Sequence, residues 1–208
     1  MVKITHIKVS PSGKRIQLFL AERLKPFSIS KETFLKLNLS VGKDIDLKSV
    51  KRVDVSTCLL EKTLSWLALR PRSRQEIVIY LEQKSRFFKD KDIFKNELLD
   101  KLNTLGLIDD EKFTSWWIEQ RINFRPKSKR LLWLELKQKG VADKIAKEML
   151  DRLLDTDSEL QMAQVIVAKK SRSFNHLSKQ IKRQKLYNLL ARRGFSWPII
   201  KQVIDEKS

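Results

Sequence analysis

The sequence predicts a mainly α-helical protein in which three tandem three-helix repeats follow a small N-terminal α+β domain containing a β-hairpin. Apolar residues recur at positions i, i+1 and i+4 in three separate helical segments, each followed by a cation. The helix-breaking residues around these segments recur at nearly one spacing: Pro71 and Pro126 are 55 positions apart, and Gly140 and Gly194 are 54 apart. Three matching units of roughly fifty residues indicate a helical repeat protein.

The clearest copy of the repeat is the segment 124–141. Pro126 suits the start of a helix, because its missing N–H is not needed in the first turn, and Ser128 can cap exposed backbone donors. Gly140 is expected to end the helix, since glycine adopts the left-handed C-cap conformation without strain. The apolar residues on one face of this helix are Leu132, Trp133 and Leu136.

The other two copies have equivalent residues. Their apolar sets are Ile77, Val78 and Leu81 upstream, and Leu186, Tyr187 and Leu190 downstream. The cations that end the three helices are Lys84, Lys139 and Arg193. Each copy is followed by a second apolar helix, with the sets Phe94/Leu98/Leu99, Ile145/Met149/Leu150 and Ile199/Val203/Ile204. Ser73 and Glu76 are predicted to form a capping box in the first copy.

The chain before the repeats alternates apolar and polar residues, as half-buried strands do. We predict a hairpin from strands 4–9 and 15–20, a third strand at 27–29, and a short helix capped by Ser30. A further helix is expected from Leu47, followed by an apolar stripe at Leu60, Leu64 and Leu67. The predicted domains are 1–56, strand-rich, and the helical repeats 57–108, 109–156 and 157–208.

A formal charge of +19 and a pI near 10.1 favour a polyanionic partner, with nucleic acid first, and acidic protein surfaces or anionic membranes second. A solvated basic surface without a partner is the alternative. Nine cations and no acid occur between residues 169 and 193, together with Phe174, His176 and Tyr187. This stretch is a candidate for contact with phosphates, with some capacity to stack on bases.

Catalysis finds little support in the sequence. His6 and His176 belong to no metal-binding motif, and the chain has neither a phosphate-binding loop nor a clustered set of glycines. Three adjacent acids, 109–111, are better explained by the preference of helix N-termini for carboxylates than by a metal site. We therefore expect no enzymatic activity, no cofactor and no metal.

The single cysteine, Cys58, excludes an intrachain disulfide and fits a reducing compartment. No stretch approaches the roughly 20 apolar residues needed to span a bilayer, and the N-terminus does not read as a signal peptide. We expect a cytoplasmic protein that does not bind membranes. For Trp66 and Trp133 we favour core packing, whereas one of Trp116 and Trp117 must face away from its own core and is available to a neighbour or partner.

The pattern resembles the RecX family, regulators of the bacterial recombinase RecA. The residues that carry the resemblance are Leu69-Arg70-Pro71-Arg72-Ser73, Leu105-Gly106-Leu107-Ile108-Asp109-Asp110-Glu111-Lys112-Phe113, Lys137-Gln138-Lys139-Gly140-Val141, and Lys185-Leu186-Tyr187 through Ala191-Arg192-Arg193-Gly194-Phe195-Ser196. The resemblance implies three three-helix repeats that bind along the groove of the RecA–single-stranded DNA filament. It also implies inhibition of recombinase activity in DNA repair, recombination and the SOS response.

On this reading we expect a monomer whose filament contacts come from eleven cations: Arg70, Arg72, Arg125, Lys127, Lys129, Arg130, Lys182, Arg183, Lys185, Arg192 and Arg193. For each residue taken alone, a solvated charge is the alternative. Two other functions stay open. A three-helix array could bind DNA without any recombinase, or it could be a scaffold for an acidic protein partner.

Overall fold

The computed structural model describes residues 1–21, 23–86, 88 and 91–205 of the chain, and it confirms the predicted fold class. The N-terminal elements are β1 (Val2–Val9), β2 (Arg15–Leu20), β3 (Phe27–Ser30), α1 (Lys31–Lys36) and β4 (Asp44–Ile45). The helices that follow are α2 (Leu47–Leu67), α3 (Arg74–Ser85), α4 (Lys91–Thr104), α5 (Asp110–Phe124), α6 (Lys129–Gln138), α7 (Asp143–Leu153), α8 (Thr156–Ser171), α9 (Lys179–Arg192) and α10 (Trp197–Asp205). A 3-10 turn, Arg172–Phe174, follows α8.

The chain forms two compact units. The first comprises Met1–Arg70 and Leu81–Leu102, and the second comprises Pro71–Tyr80 and Asn103–Ser208. Within the described ranges, no helix is both long and apolar enough to cross a membrane.

The first unit contains an antiparallel sheet in the order β3-β2-β1-β4. The predicted hairpin is present, with Val9 opposite Ile16 and a bulge between Ile4 and His6. The strand β4 was not predicted, because two residues are too short to show a strand period. It pairs with the start of β1, with Ile45 opposite Val2.

The position of α2 against the sheet is fixed by a buried acid. Asp54 is only 9% exposed, and its carboxylate accepts hydrogen bonds from the Ser30 N–H at 2.6 Å and from Arg15 Nη2 at 3.2 Å. This contact turns the helix so that Leu59 is buried while Leu64 is 36% exposed. The predicted stripe at Leu60, Leu64 and Leu67 is therefore not the most buried face, since α2 buries the mixed apolar and polar set Val50, Asp54, Leu59 and Thr63.

The helix α4 completes the first unit. Its predicted apolar set, Phe94, Leu98 and Leu99, is buried. Arg52 on α2 pairs with Glu97 at 2.8 Å, and its guanidinium lies 5.7 Å from the centre of the Phe94 ring. These contacts link α2 and α4 through one arginine.

The second unit has one apolar core in which α5 to α10 meet. The predicted helix ends are confirmed there. Ser128 Oγ accepts from the Leu131 N–H, and Ser73 Oγ accepts from the Glu76 N–H at 3.1 Å, as in the first half of a capping box. Gly140 adopts a φ of +76° after α6. Hydroxyl and glycine caps are local features, which is why the sequence predicts them.

Most of the predicted apolar residues are buried in this unit, except Val78, Trp133, Ile145 and Tyr187. Trp133 is half-buried, because its indole Nε1 donates to Asp143 Oδ1 at 2.6 Å while the ring packs against the core. Tyr187 is 38% exposed, although Leu186 and Leu190 beside it are buried. Both Trp116 and Trp117 are partly buried against the core.

The acids at the start of α5 serve helix N-termini. Asp109 caps α5 by accepting from the Lys112 N–H at 2.8 Å. Asp110 accepts from the Arg74 N–H at 2.7 Å, at the first residue of α3. The helix-dipole interpretation of these carboxylates is confirmed.

Candidate nucleic-acid interface

Two equivalent contacts join the middle helices of the repeats in the second unit. In the first joint, the C-terminus of α6 meets the N-terminus of α3. Ser73 Oγ donates to the Lys139 carbonyl at 2.6 Å, and Lys139 Nζ pairs with Glu76 at 2.9 Å. Gly140 lies so close to α3 that a Cβ atom on it would be 2.3 Å from Gln75 Cβ. Only glycine fits at this position.

In the second joint, the C-terminus of α9 meets the N-terminus of α6, through different hydrogen bonds. The Ser128 N–H donates to the Arg193 carbonyl at 3.0 Å, and Arg193 Nη1 donates to the Pro126 carbonyl at 3.1 Å. A Cβ on Gly194 would be 2.5 Å from Leu131 Cγ. The recurring prolines, serines and glycines of the sequence are therefore the parts of a repeated joint.

The second joint gathers six of the predicted contact residues: Arg125, Lys127, Lys129, Arg130, Arg192 and Arg193. They differ in availability. Lys127 pairs with Glu135, and Lys129 Nζ pairs with Asp151 at 2.6 Å and donates to the Leu154 carbonyl at 3.1 Å. Arg125 and Arg130 are exposed. Lys127 and Lys129 are thus held by contacts within the protein, whereas Arg125 and Arg130 face solvent.

Glu135 is the centre of an ionic cluster behind this joint. It is 15% exposed and accepts hydrogen bonds from Arg121 Nε at 2.7 Å, from Trp117 Nε1 at 3.0 Å, and from Lys127 Nζ. Burial alone would raise the pKa of Glu135, but the hydrogen bonds from Lys127 and Arg121 outweigh it and hold the pKa below its usual value. The Arg121 guanidinium lies 4.4 Å from the centre of the Trp117 ring. Trp117 is thus a structural residue.

A second basic group lies towards the N-terminus of α9. Lys182 Nζ donates to Asn175 Oδ1 at 2.9 Å, Arg183 pairs with Asp205 at 2.6 Å, and Lys185 Nζ lies 5.6 Å from the centre of the Phe174 ring. Lys182 and Arg193 are about 16 Å apart along the helix, at about 1.5 Å per residue. The contact residues on α9 therefore form two groups, one at each end.

The cations between residues 169 and 193 have few acidic partners. In the described part of the chain, only Arg183 of these nine has a carboxylate within ion-pair distance. Seven of the nine are exposed, whereas Lys182 and Arg193 are half-buried. A surface of unpaired cations is electrostatically suited to phosphates.

The two remaining predicted contact residues lie at the start of the repeats. Arg72 is half-buried in the second unit, next to Ser73 of the first joint. Arg70 is half-buried in the first unit. Arg70 belongs to the first unit, and the ten other predicted contact residues belong to the second.

Sequence reasoning did not single out Trp197 and Lys201. Trp197 is 59% exposed at the start of α10, and Lys201 Nζ lies 5.2 Å from the centre of its ring. The spacing i, i+4 on a helix puts these two side chains on one face and was visible in the sequence. A tryptophan followed by an isoleucine pair reads as core, however, and here only the isoleucines are buried.

Comparison with known proteins assigns the chain to a family. The family models for the second and third three-helix domains of RecX match residues 109–150 and 157–204. A protein of Prosthecochloris aestuarii named regulatory protein RecX is 36% identical over 147 residues, which cover 71% of this chain and 91% of that protein. This chain belongs to the RecX family. The regulatory protein RecX of Listeria monocytogenes is 27% identical over 99% of this chain and 76% of its own length.

Two solved RecX structures share the fold. A crystal structure of regulatory protein RecX matches with a TM-score of 0.67 at 21% identity, covering 99% of this chain and all of the other. RecX from Lactobacillus salivarius matches with a TM-score of 0.59 at 25% identity, covering 74% of this chain and 96% of the other. The fold of the first extends over nearly the whole chain, including the N-terminal sheet.

Proposed function

We propose that this RecX family member regulates the recombinase RecA by binding along the RecA–single-stranded DNA filament and inhibiting its activity. Family membership supports a regulatory role, and the RecA partner is the one that the resemblance to RecX implies. The chain acts by binding and not by catalysis. It works as a cytoplasmic monomer in DNA repair and recombination and in the SOS response.

The observation that carries this proposal is the unpaired basic surface of the third repeat. Cations that stabilise a folded domain are commonly paired with acids, as Lys127 and Lys129 are at the second joint. Lys179, Lys185 and Arg192 on α9 have no such partner among the described residues. Leaving like charges unpaired disfavours the free protein through mutual repulsion, and binding to a polyanion removes that repulsion.

The groups at the two ends of α9 also suit an extended partner. Separate basic groups on a repeat array can contact several phosphates along one strand. The exposed arginines of the second joint, Arg125 and Arg130, extend the same set beyond α9. The ten predicted contact residues of the second unit are proposed as the filament interface, and Arg70 of the first unit is proposed to add to it.

Salt dependence of filament binding tests the role of the Lys182–Lys185 group. The double variant Lys182→Glu, Lys185→Glu should bind a preformed RecA filament more weakly. The slope of log K against log salt should decrease by about 1.4, since each phosphate contact on a single strand contributes about 0.7. Lys31→Glu, Lys36→Glu, on exposed positions of α1, makes the same change in net charge and should leave the slope unchanged. Equal slopes in both double variants would contradict a role of the Lys182–Lys185 group in phosphate contact.

A general DNA-binding module is the second candidate function. The same unpaired cations, together with the exposed Trp197, would serve equally on bare DNA. Tight binding to DNA in the absence of recombinase, with no preference for the filament, would favour this candidate. A preference for the filament over bare single strands at equal salt would favour regulation of RecA.

A further inference from the structure

A groove between α9 and α10 in the third repeat has the composition of a base-binding site. Its cavity measures about 250 Å³. Ligand pockets for drug-sized molecules span roughly 300–1,000 Å³, so this groove suits a smaller group. The eight lining residues are Gln180, Arg183, Gln184, Tyr187, Trp197, Ile200, Lys201 and Ile204. None of them is acidic.

The aromatic residues of the groove present exposed surface. Trp197 on α10 is 59% exposed and Tyr187 on α9 is 38% exposed. Large aromatic rings are normally buried for their apolar area, so two of them lining one groove with this exposure indicate a partner that covers them. The Trp197 ring also has Lys201 Nζ 5.2 Å from its centre.

The rest of the groove supplies an apolar floor and polar sides. Ile200 and Ile204 line the cavity and are only 2% and 5% exposed. Gln180 and Gln184 lie one turn apart on α9, and Gln184 Nε2 donates to Asn188 Oδ1 at 3.2 Å, which fixes its amide. Amides can donate to and accept from the edge of a base, and aromatic faces can stack on its ring.

A second cavity adjoins the groove and is more polar. It measures about 260 Å³, and its lining includes Lys179, Lys182, Asn175 and Ser171. Arg183 lines both cavities, and its pairing with Asp205 at 2.6 Å sets the orientation of its guanidinium. Asp205 is the one carboxylate in contact with these lining residues in the described part of the chain, and Arg183 neutralises it. Cations beside an aromatic groove are the arrangement that single-strand binding requires.

We propose that the α9–α10 groove holds one unpaired nucleobase, stacked on Trp197, while Lys179 and Lys182 contact the adjacent phosphates of the same strand. This inference deepens the proposed function, on which it rests, by assigning a base-contacting site to the third repeat. The recognition is of an unpaired base and not of a particular sequence, because every base offers a flat face to the indole.

An abasic oligomer separates base stacking from phosphate contact. The full-length chain is titrated with a short labelled oligothymidylate and with an abasic oligomer of the same length and charge. Wild type should bind the base-bearing strand more tightly. Trp197→Ala should weaken binding to that strand by about 5- to 150-fold, the effect of removing one stacking contact, and leave abasic binding unchanged. Trp197→Phe, which keeps a stacking ring, should retain most of the preference.

Phe124→Ala is the matched control. Phe124 is 75% exposed at the end of α5 in the same unit and does not line the groove, so its loss should leave both affinities unchanged. Equal binding of the two oligomers by wild type, or an unchanged preference in Trp197→Ala, would overturn the base site. If wild type still bound the RecA filament in that case, the proposed function would stand.

A protein ligand for the groove gives a different result. Trp197→Ala would then weaken binding to the filament while the difference between the two oligomers stayed as in wild type. That outcome would assign the groove to a side chain of the recombinase and would contradict the nucleobase proposal. Failure of the wild-type chain to bind the filament would instead refute the proposed function.

Discussion

Replacing Gly140 with alanine tests whether α6 and α3 meet as the first joint describes. Gly140 has a φ of +76°, and Gly106, after α4, has a similar φ of +65°. Alanine in this left-handed conformation costs about 1–2 kcal/mol. A Cβ on Gly106 would meet nothing within 4 Å, so Gly106→Ala should lower the free energy of unfolding by that amount alone.

Gly140→Ala should cost more because of the contact with α3. Its Cβ would lie 2.3 Å from Gln75 Cβ and 2.7 Å from Gln75 Cγ. A Cβ cannot move without its backbone, so a change of Gln75 rotamer does not relieve the overlap. Overpacking of this kind costs about 1–3 kcal/mol. Added to the backbone strain, it gives a loss of about 2–5 kcal/mol for Gly140→Ala.

The assay is urea unfolding of both variants followed by far-ultraviolet circular dichroism, with the slope m as a check on two-state behaviour. Gln75→Gly removes the Cβ with which an alanine at position 140 would overlap. In that background Gly140→Ala should cost about 1–3 kcal/mol less than in wild type. If Gly106→Ala and Gly140→Ala lowered the free energy of unfolding equally, and Gln75→Gly did not change the effect of Gly140→Ala, the close contact between α6 and α3 would be refuted.

Three further predictions concern ionisable side chains that are buried or half-buried. The pKa of Glu135 is held below its usual value in the fold, so its cluster stabilises fully above the ordinary pKa of a glutamate and loses that contribution as pH falls through the folded value. Glu135→Gln should cost about 2 kcal/mol at neutral pH and flatten the acid limb of an unfolding curve; an unchanged limb would contradict this. Partial burial, and then the charge of Asp54, raises the pKa of the half-buried Cys58 thiol. Iodoacetamide should therefore alkylate the folded chain more slowly than the urea-unfolded chain at pH 8, and equal rates would contradict the raised pKa. Asp54→Ala should destabilise the first unit by about 1–3 kcal/mol in denaturant titration, because it leaves a buried amide without an acceptor, whereas a neutral effect would remove Asp54 from that role.

The helix ends of the repeats could be predicted from the sequence because their causes are local. A serine before an apolar run accepts from a backbone amide three residues on, as Ser128 and Ser73 do. A glycine after the run adopts a positive φ, as Gly140 and Gly194 do. The contacts lie within a few residues, so residue type and spacing determine them.

The joints and the groove could not be predicted because their partners are distant in the chain. Ser73 donates to a carbonyl 66 residues away, at Lys139, and nothing in either segment alone indicates the other. The same limit applies to Trp197, whose exposure depends on how α10 packs against α9. The density of cations indicated α9 as a binding element, whereas the division into two end groups needed three-dimensional structure.

The most direct measurement is ATP hydrolysis by a preformed RecA–single-stranded DNA filament, titrated with this protein at concentrations too low to cover the DNA. Action on the filament predicts a steep fall in hydrolysis well before the protein could occupy the available DNA sites. A rate that stays constant until the protein coats all free single strands would mean competition for DNA alone, and it would contradict regulation of the filament.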